Sequence, residues 1–181
     1  MRSHLDNLYA GIEFISTERL ILIPFTKEII TSIKQEEGFL LKTCNLNYGT
    51  GWPDEEAKET FPKIEKNLTL VINPTGFESW IIVKKENQTI IGDAGFKGRP
   101  NDCGEIDIGY AIISAERQNG YAIETVNALI IWAFNQTGVA AITASCFIPN
   151  IRSKKVLQKT GFRKTKEDDE MIYWIKNKSD C

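Results

Sequence analysis

The fold is decided by residues 109–122, which have the sequence GYAIISAERQNGYA. The first half is apolar and follows an alternation of polar and apolar residues from Glu105, which predicts a strand that enters the core. A polar turn that ends at Gly120 comes next. From Tyr121 the apolar residues recur at helical spacing. The stretch therefore predicts a strand, a tight turn and the start of a long helix.

The turn between this strand and helix has the chemistry of an anion site. The first backbone N–H groups of a helix lack partners within the helix, and the helix dipole adds positive potential there. Gly120 has no Cβ, so a diphosphate can approach the backbone closely, and Arg117 adds a positive charge. The turn holds a single glycine and no Gly-Lys-Ser/Thr follows, which excludes a Walker loop and a dinucleotide-binding fingerprint. The turn alone leaves a phosphate site and an ordinary connection both open.

Composition restricts the class of protein. The 181 residues are 42% apolar and 25% charged, which is typical of one soluble globular domain with a full core. The net charge of −2 argues against bulk attraction to nucleic acid or to an anionic membrane. No apolar segment reaches membrane-spanning length and no signal peptide precedes the first predicted strand. We therefore expect no direct nucleic-acid partner and no membrane partner.

The cysteine and histidine content excludes further classes. The four cysteines form no C-x-x-C pair and the sequence has one histidine, His4. This argues against a zinc site and against Ser-His-Asp or Cys-His catalysis. We expect no metal, and we interpret the cysteines as reduced thiols of a cytoplasmic protein.

The remaining pattern predicts one mixed α/β domain over residues 12–181, after a loose segment at 1–11. The seven predicted strands span residues 14–24, 80–84, 89–96, 105–113, 139–146, 162–165 and 171–175. The helices are predicted at 27–36 after Thr26, around 39–41, from Asp54 towards 73 with a break at Pro62, from 121 up to Gly138, and at 151–160 after Asn150. The strands at 105–113 and 139–146 are joined through a helix, so they should be parallel.

Five fragments, in order along nearly the whole chain, resemble the GNAT superfamily of acetyl-CoA-dependent N-acetyltransferases. Within it they are similar to the branch that acetylates the N-termini of ribosomal proteins, the RimJ/RimL-like branch. The fragments are Thr17–Leu22, Ile90–Phe96, Asp107–Ile112, Arg117–Ala122, and Asn150–Ser153 with Lys159–Phe162. The fourth matches the family's (Arg/Gln)-x-x-Gly-x-(Gly/Ala) pyrophosphate loop. The resemblance implies a GNAT-like domain, with a mostly antiparallel sheet of about seven strands and about four flanking helices.

The resemblance also implies how acetyl-CoA binds. In this fold the fourth and fifth strands splay apart at their C-terminal ends, and the pantetheine arm pairs with the freed backbone as a substitute strand, here near Ala111, Ile112 and Ile113. Asn150 would hydrogen-bond the arm from the other side, or serve as a plain N-cap, or both. The pyrophosphate would bind the loop formed by Arg117, Gln118, Asn119, Gly120, Tyr121 and Ala122.

Acetyl transfer to an amine needs a neutral amine, and two carboxylates are candidate bases. Glu105 and Asp107 are alternate residues and so face one side of their strand. The resemblance favours Asp107, and a solvated strand face is the alternative for both. A backbone N–H near Ile112 or Ile113 is the candidate oxyanion donor.

The leaving thiolate raises a further point about the helix after Asn150. Many members of the superfamily carry a tyrosine late in this helix as an acid, and this chain has Leu157 there. Ser153 is the substitute that the Asn-x-x-Ser pattern suggests. A hydroxyl that binds backbone or CoA is the alternative role for Ser153.

The leading hypothesis is an N-acetyltransferase that acts on a primary amine, either a protein N-terminus or a small molecule. The alternative is a non-catalytic acyl-CoA-binding module that senses or docks. The acidic residues Asp54, Glu55, Glu56 and Glu59 lie where the resembled family builds its acceptor wall, so they would attract a cationic acceptor or form a solvated helix face. The resemblance also makes a homodimer an expectation.

Overall fold

The computed structural model describes residues 14–35 and 45–180. These residues form one sheet flanked by four α-helices. The strands β1 to β9 are Ile15–Ser16, Leu20–Pro24, Asn47–Tyr48, Trp80–Lys84, Thr89–Phe96, Glu105–Ile112, Ala141–Phe147, Arg163–Glu167 and Met171–Asn177. The helices α1 to α4 are Lys27–Lys34, Glu55–Thr69, Tyr121–Phe134 and Ile151–Lys159.

The mixed α/β class is confirmed, with nine strands in the described residues in place of about seven. The predicted strand 14–24 is divided into β1 and β2, which pair antiparallel, and β3 lies in a segment where no strand was predicted. The segment 1–11, His4 and the helical piece at 39–41 lie outside the described residues. The predicted domain limits also stay a prediction.

The sheet has the strand order β1-β2-β4-β5-β6-β7-β9-β8, with β3 parallel to β5. The strands β6 and β7 are parallel, as predicted, because α3 connects them as a crossover. Their register joins only residues 105–107 of β6 to residues 141–143 of β7. Beyond Asp107 a gap opens between the two described strands, which confirms the expected splay.

The core lies on both faces of the central strands. Trp80, Ile81, Ile82 and Val83 of β4 are fully buried, which requires cover on both sides of the sheet. The helix α3 packs against β2, β5, β6 and α4, while α1 and α2 pack together. No helix within residues 14–35 and 45–180 is long and apolar enough to cross a bilayer.

Two helix predictions need correction. Helix α2 continues through Pro62 from Glu55 to Thr69, because its buried face of Ala57, Phe61, Ile64 and Leu68 holds both halves against the core. Helix α3 ends at Phe134, four residues before Gly138. Residues 135–137 and the left-handed Gly138 therefore lie beyond the end of this helix.

Candidate active site

A cavity of about 580 Å³ lies at the gap between β6 and β7. Helix α2 lines one part of it with Glu56 and Thr60, and the opposite part is lined by Cys146 of β7 and Ser153 of α4. Tyr110 of β6 lines it at the gap itself. The cavity therefore gives access to both edges of the splayed strands.

The hydrogen bonds of β6 show which backbone groups face this gap. The Ile113 N–H donates to the Ile91 carbonyl oxygen, and the Lys97 N–H donates to the Asp107 carbonyl oxygen, both over 2.9 Å. The direction of these groups alternates along a strand. The N–H and C=O groups of Tyr110 and Ile112 therefore point towards the gap.

This corrects part of the expected pantetheine edge. The N–H of Ile113 is already bonded to β5, and Ala111 is paired with Asp93 of β5 in the same register. Of the three predicted residues, only Ile112 presents backbone groups to the gap, and its carbonyl oxygen accepts a bond of 2.8 Å from Arg117 Nε. Tyr110 joins it, and the sequence interpretation had not included Tyr110.

The loop before α3 has the conformation of an anion site. Gly120 precedes the helix with φ +81° and no side chain caps the first turn. Gln118 also has a left-handed backbone, with φ +67°, which is uncommon for a residue with a Cβ. Among residues 14–35 and 45–180, no side chain caps the amides at this helix start, which suits a diphosphate.

The same loop is held from a distant part of the chain by Arg19. Its guanidinium forms an ion pair of 2.7 Å with Glu124 of α3 and donates to the Asn119 carbonyl oxygen over 2.9 Å. It also lies over the Tyr121 ring at 4.6 Å from the centroid. Thr17 Oγ1 adds a bond of 2.6 Å to Glu124. The sequence indicated Arg19 only as part of the fragment Thr17–Leu22.

On the other side of the gap, α4 presents a pair of hydroxyl groups. Asn150 Oδ1 accepts the Ser153 N–H over 3.0 Å, so Asn150 is an N-cap and keeps its amide NH₂ for other partners. Ser153 Oγ lies 3.0 Å from the Tyr110 hydroxyl. Burial raises the pKa of Tyr110 to about 12, which keeps it protonated at neutral pH. Leu157, at the position of the family's tyrosine, is fully buried.

The two predicted bases have other partners, and neither lines the cavity. Asp107 forms an ion pair with Lys97 and accepts a bond of 3.2 Å from Thr143 Oγ1. Glu105 accepts a bond of 3.2 Å from Asn101. Both lie where β6 and β7 are still paired, whereas the cavity begins one residue later, at Ile108.

Asp93 of β5 lines the cavity, together with the carboxyl residues Glu56 and Glu78. Burial, reinforced by the charges of Asp54 and Glu56, raises the pKa of Asp93 to about 7. The Trp52 indole counteracts part of this shift without a hydrogen bond of normal geometry. The sequence signal was a lone acid within the apolar strand 89–96, which our interpretation did not use.

The gap in the sheet, the loop before α3 at its open end and the hydroxyl pair across it point to an acyltransferase. The chain matches the family model described as "Acetyltransferase (GNAT) domain" over residues 19–163. The protein therefore belongs to the GNAT family and is an acetyl-CoA-dependent N-acetyltransferase.

Comparisons with individual proteins agree with this assignment. The chain is 34% identical to the uncharacterized N-acetyltransferase YjdG of Bacillus subtilis, over 89% of this chain and 96% of that one. Its fold is similar to RimL, a ribosomal L7/L12 α-N-protein acetyltransferase solved with coenzyme A (TM-score 0.67, 15% identity, 91% of this chain and 98% of RimL). It is also similar to the ribosomal-protein-S5-alanine acetyltransferase of Vibrio fischeri (TM-score 0.66, 17% identity, 93% and 98% coverage).

Proposed function

We propose that this enzyme transfers the acetyl group of acetyl-CoA to the primary amine of a protein N-terminus or of a small molecule. The observation that carries the proposal is the gap beyond Asp107, which has an uncapped anion loop at one end and a cavity along both strands. Such a gap offers backbone groups to an extended ligand and an amide cluster to its phosphates.

The residues present fit acetyl-CoA as a substrate. The pyrophosphate would bind the loop Arg117–Ala122, where the left-handed Gly120 leaves room for close approach. Ile112 and Tyr110 would hydrogen-bond the pantetheine arm, and the free amide NH₂ of Asn150 would bind it from α4. When bound, acetyl-CoA supplies the thioester carbonyl and the thiolate leaving group.

The chain's own groups then have defined tasks. A gap-facing N–H of Tyr110 or Ile112 would donate to the developing oxyanion. The hydroxyl pair of Ser153 and Tyr110 would donate a hydrogen bond to the leaving sulfur. Asp107 or Glu105 would assist deprotonation of the amine if the acceptor reaches the paired end of β6.

The proteins of similar fold support a proposal about the class of acceptor. RimL and the S5-alanine enzyme are described as acetyltransferases of ribosomal proteins, which favours a protein N-terminus and a cytoplasmic location. A homodimer stays a prediction. Neither the site nor the comparisons favour a non-catalytic acyl-CoA-binding module.

An amine panel tests the proposal. Purified protein and acetyl-CoA are incubated with N-terminal peptides, polyamines and aminoglycosides, and free-thiol release is followed in each case. We expect thiol release that depends on one class of amine. Tight acetyl-CoA binding without thiol release for any amine would contradict transfer and support the binding module.

A further inference from the structure

Asp93 places a buried carboxyl group at the edge of the cavity. It pairs in register with Ala111 of β6, so the two side chains share one face of the sheet. Asp93 is only 7% exposed, yet it lines the cavity. Its Oδ1 has no hydrogen-bond partner among the residues that the structure describes. The Trp52 indole N–H, which is also buried without a partner of normal geometry, is a donor inside the protein that acts on this carboxyl. A carboxylate can accept about four hydrogen bonds, so its remaining acceptor sites are left for a donor that enters the cavity.

The groups packed around Asp93 make this end of the cavity negative. Helix α2 contributes Asp54, its N-cap, and Glu56, and both charges act on the Asp93 carboxyl. The loop before α2 contributes the neutral Trp52 indole. The residues paired with Asp93 on the adjacent strands are apolar: Ala111 of β6 and Ile81 of β4.

The basic side chains of the cavity do not cancel this potential. Lys63 and Lys66 line it, but they follow Glu56 by seven and ten residues, about 10 and 15 Å along the helix axis. Lys97 is paired with Asp107. A cation that enters the cavity is therefore attracted towards Asp93.

We propose that Asp93 binds the ammonium group of the acceptor and takes its proton, and that Asp54 and Glu56 favour acceptors that arrive positively charged. The inference rests on the proposed acetyl transfer and names the acceptor class at the same site, a primary ammonium.

The proton and electron balance is complete with the groups named. Asp93 accepts one proton from the ammonium, and the freed nitrogen lone pair forms the new C–N bond with the thioester carbonyl carbon. The C–S bond breaks with its electron pair on sulfur, and the second amine proton neutralises the thiolate. Asp93 returns its proton to solvent, so the products are the amide, the thiol and one proton.

The pH profile of turnover with n-propylamine, or with the best amine of the panel, tests the inference. We expect kcat/KM of the wild type to rise through a midpoint near pH 7 as Asp93 ionises, and to fall as the free amine loses its own proton near ~10.4. Asp93→Asn should lose about a hundred-fold or more at pH 8, the usual range for a general base. Its kcat/KM should also show no midpoint near pH 7 and should instead rise as the fraction of neutral amine increases with pH.

Three charge variants on α2 sharpen the test. Glu56→Gln and Asp54→Asn should lower the midpoint, because each removes a negative charge that opposes ionisation of Asp93. Asn still caps a helix, so Asp54→Asn keeps α2 intact. Glu65→Gln is the matched control, since Glu65 lies on the same helix, pairs with Lys34 and does not line the cavity. An unchanged rate and profile in Asp93→Asn would overturn the inference and leave acetyl transfer standing.

A second measurement separates this inference from the proposed function. NMR of ¹³C-labelled aspartate, with Asp93 identified by its loss in Asp93→Asn, follows the carboxyl directly, even if no amine is turned over. We expect a midpoint near 7 that falls when n-propylamine is added to the CoA-bound protein, because a bound ammonium stabilises the carboxylate. An ordinary midpoint, or one that n-propylamine does not move, would overturn the ammonium site.

Discussion

At the scale of single residues, Gly120 permits the left-handed turn and, in the proposed site, the close approach of phosphate. An added Cβ would lie 3.4 Å from Arg19 Nη2, and φ is +81°. We expect Gly120→Asp to weaken acetyl-CoA binding by tens of fold, on the order of 2 kcal/mol, because it places a negative charge against the pyrophosphate. Calorimetric titration measures the affinity.

Gly138→Asp is the matched control for this prediction. Gly138 has φ +84° and open space around its Cβ position, so it carries the same backbone strain away from the loop. The acetyl-CoA affinity of Gly138→Asp should equal that of the wild type. A folded Gly120→Asp variant that binds acetyl-CoA as tightly as the wild type would contradict the assignment of the pyrophosphate loop.

Asp93 also predicts a pH dependence of stability. Its folded pKa of about 7 lies above the ordinary value of 3.8. The unfolded chain therefore releases this proton first, and the free energy of unfolding falls as pH rises between those two values. The free energy of unfolding of Asp93→Asn, relative to that of the wild type, should therefore increase by at most about 3 kcal/mol from pH 5 to pH 8. Urea unfolding at both pH values measures this change. A difference between variant and wild type that is the same at pH 5 and pH 8 would contradict the raised pKa.

Local rules predicted the capping residues but not the chemistry of the cavity. Thr26, Asp54 and Asn150 each cap a helix as expected, because an N-cap depends on neighbours three residues away. Asp93 depends on α2 and β6, which are distant in sequence, so an isolated strand pattern could not show its burial or its charged neighbours.

At the scale of elements, α4 and β6 meet through the hydroxyl groups of Ser153 and Tyr110. We expect Ser153→Ala to lower kcat about ten-fold, the size of one hydrogen bond of about 1.4 kcal/mol, with little change in KM for acetyl-CoA. Tyr110→Phe should have a similar effect. The double variant should lose little more than either single one, because the two groups act together. Steady-state kinetics over both substrates gives the values.

Tyr173→Phe is the control for loss of a phenol, since its hydroxyl bonds to Asp168 on the exposed hairpin of β8 and β9. It should leave kcat unchanged. A loss in Ser153→Ala that appears wholly in KM for acetyl-CoA would move Ser153 from catalysis to cofactor binding.

The elements themselves were largely predictable, and the errors have physical causes. The parallel pairing of β6 and β7 follows from their helical connection. The break expected at Pro62 does not occur, because one missing hydrogen bond costs less than separating a continuous buried face. The exposed backbone edge was expected at Ala111 to Ile113, and bond alternation, which composition does not reveal, moves it to Tyr110 and Ile112.

At the scale of the whole molecule, residues just before β2 hold the proposed pyrophosphate loop, Arg117–Ala122. Burial alone would raise the pKa of Glu124, but bonds from Thr17 and Arg19 outweigh it and the pKa is lowered from 4.5. The ion pair between Arg19 and Glu124 therefore stays ionised above pH 4.5 and is lost only as the pH falls through the lowered pKa of Glu124. We expect Arg19→Gln to raise KM for acetyl-CoA about ten-fold near pH 7, the effect of one charge-assisted bond, with kcat nearly unchanged.

Lys34→Gln is the matched control, since it breaks an exposed ion pair of 2.9 Å with Glu65 away from the loop. Exposed pairs contribute little, so both kinetic constants should stay at wild-type values. A kcat loss in Arg19→Gln that equals the loss in kcat/KM, with KM unchanged, would contradict the role of Arg19 in holding the loop.

The short pairing of β6 with β7 has a mechanical consequence. Within the described chain, three residue pairs form the backbone seam between the half-sheet β1-β2-β4-β5-β6 and the half-sheet β7-β9-β8. Beyond the seam, resistance to relative rotation of the halves falls on side-chain packing and on α3. A pantetheine arm laid along the open edges would join the two halves, so we expect the enzyme to be stiffer with CoA or acetyl-CoA bound than without it.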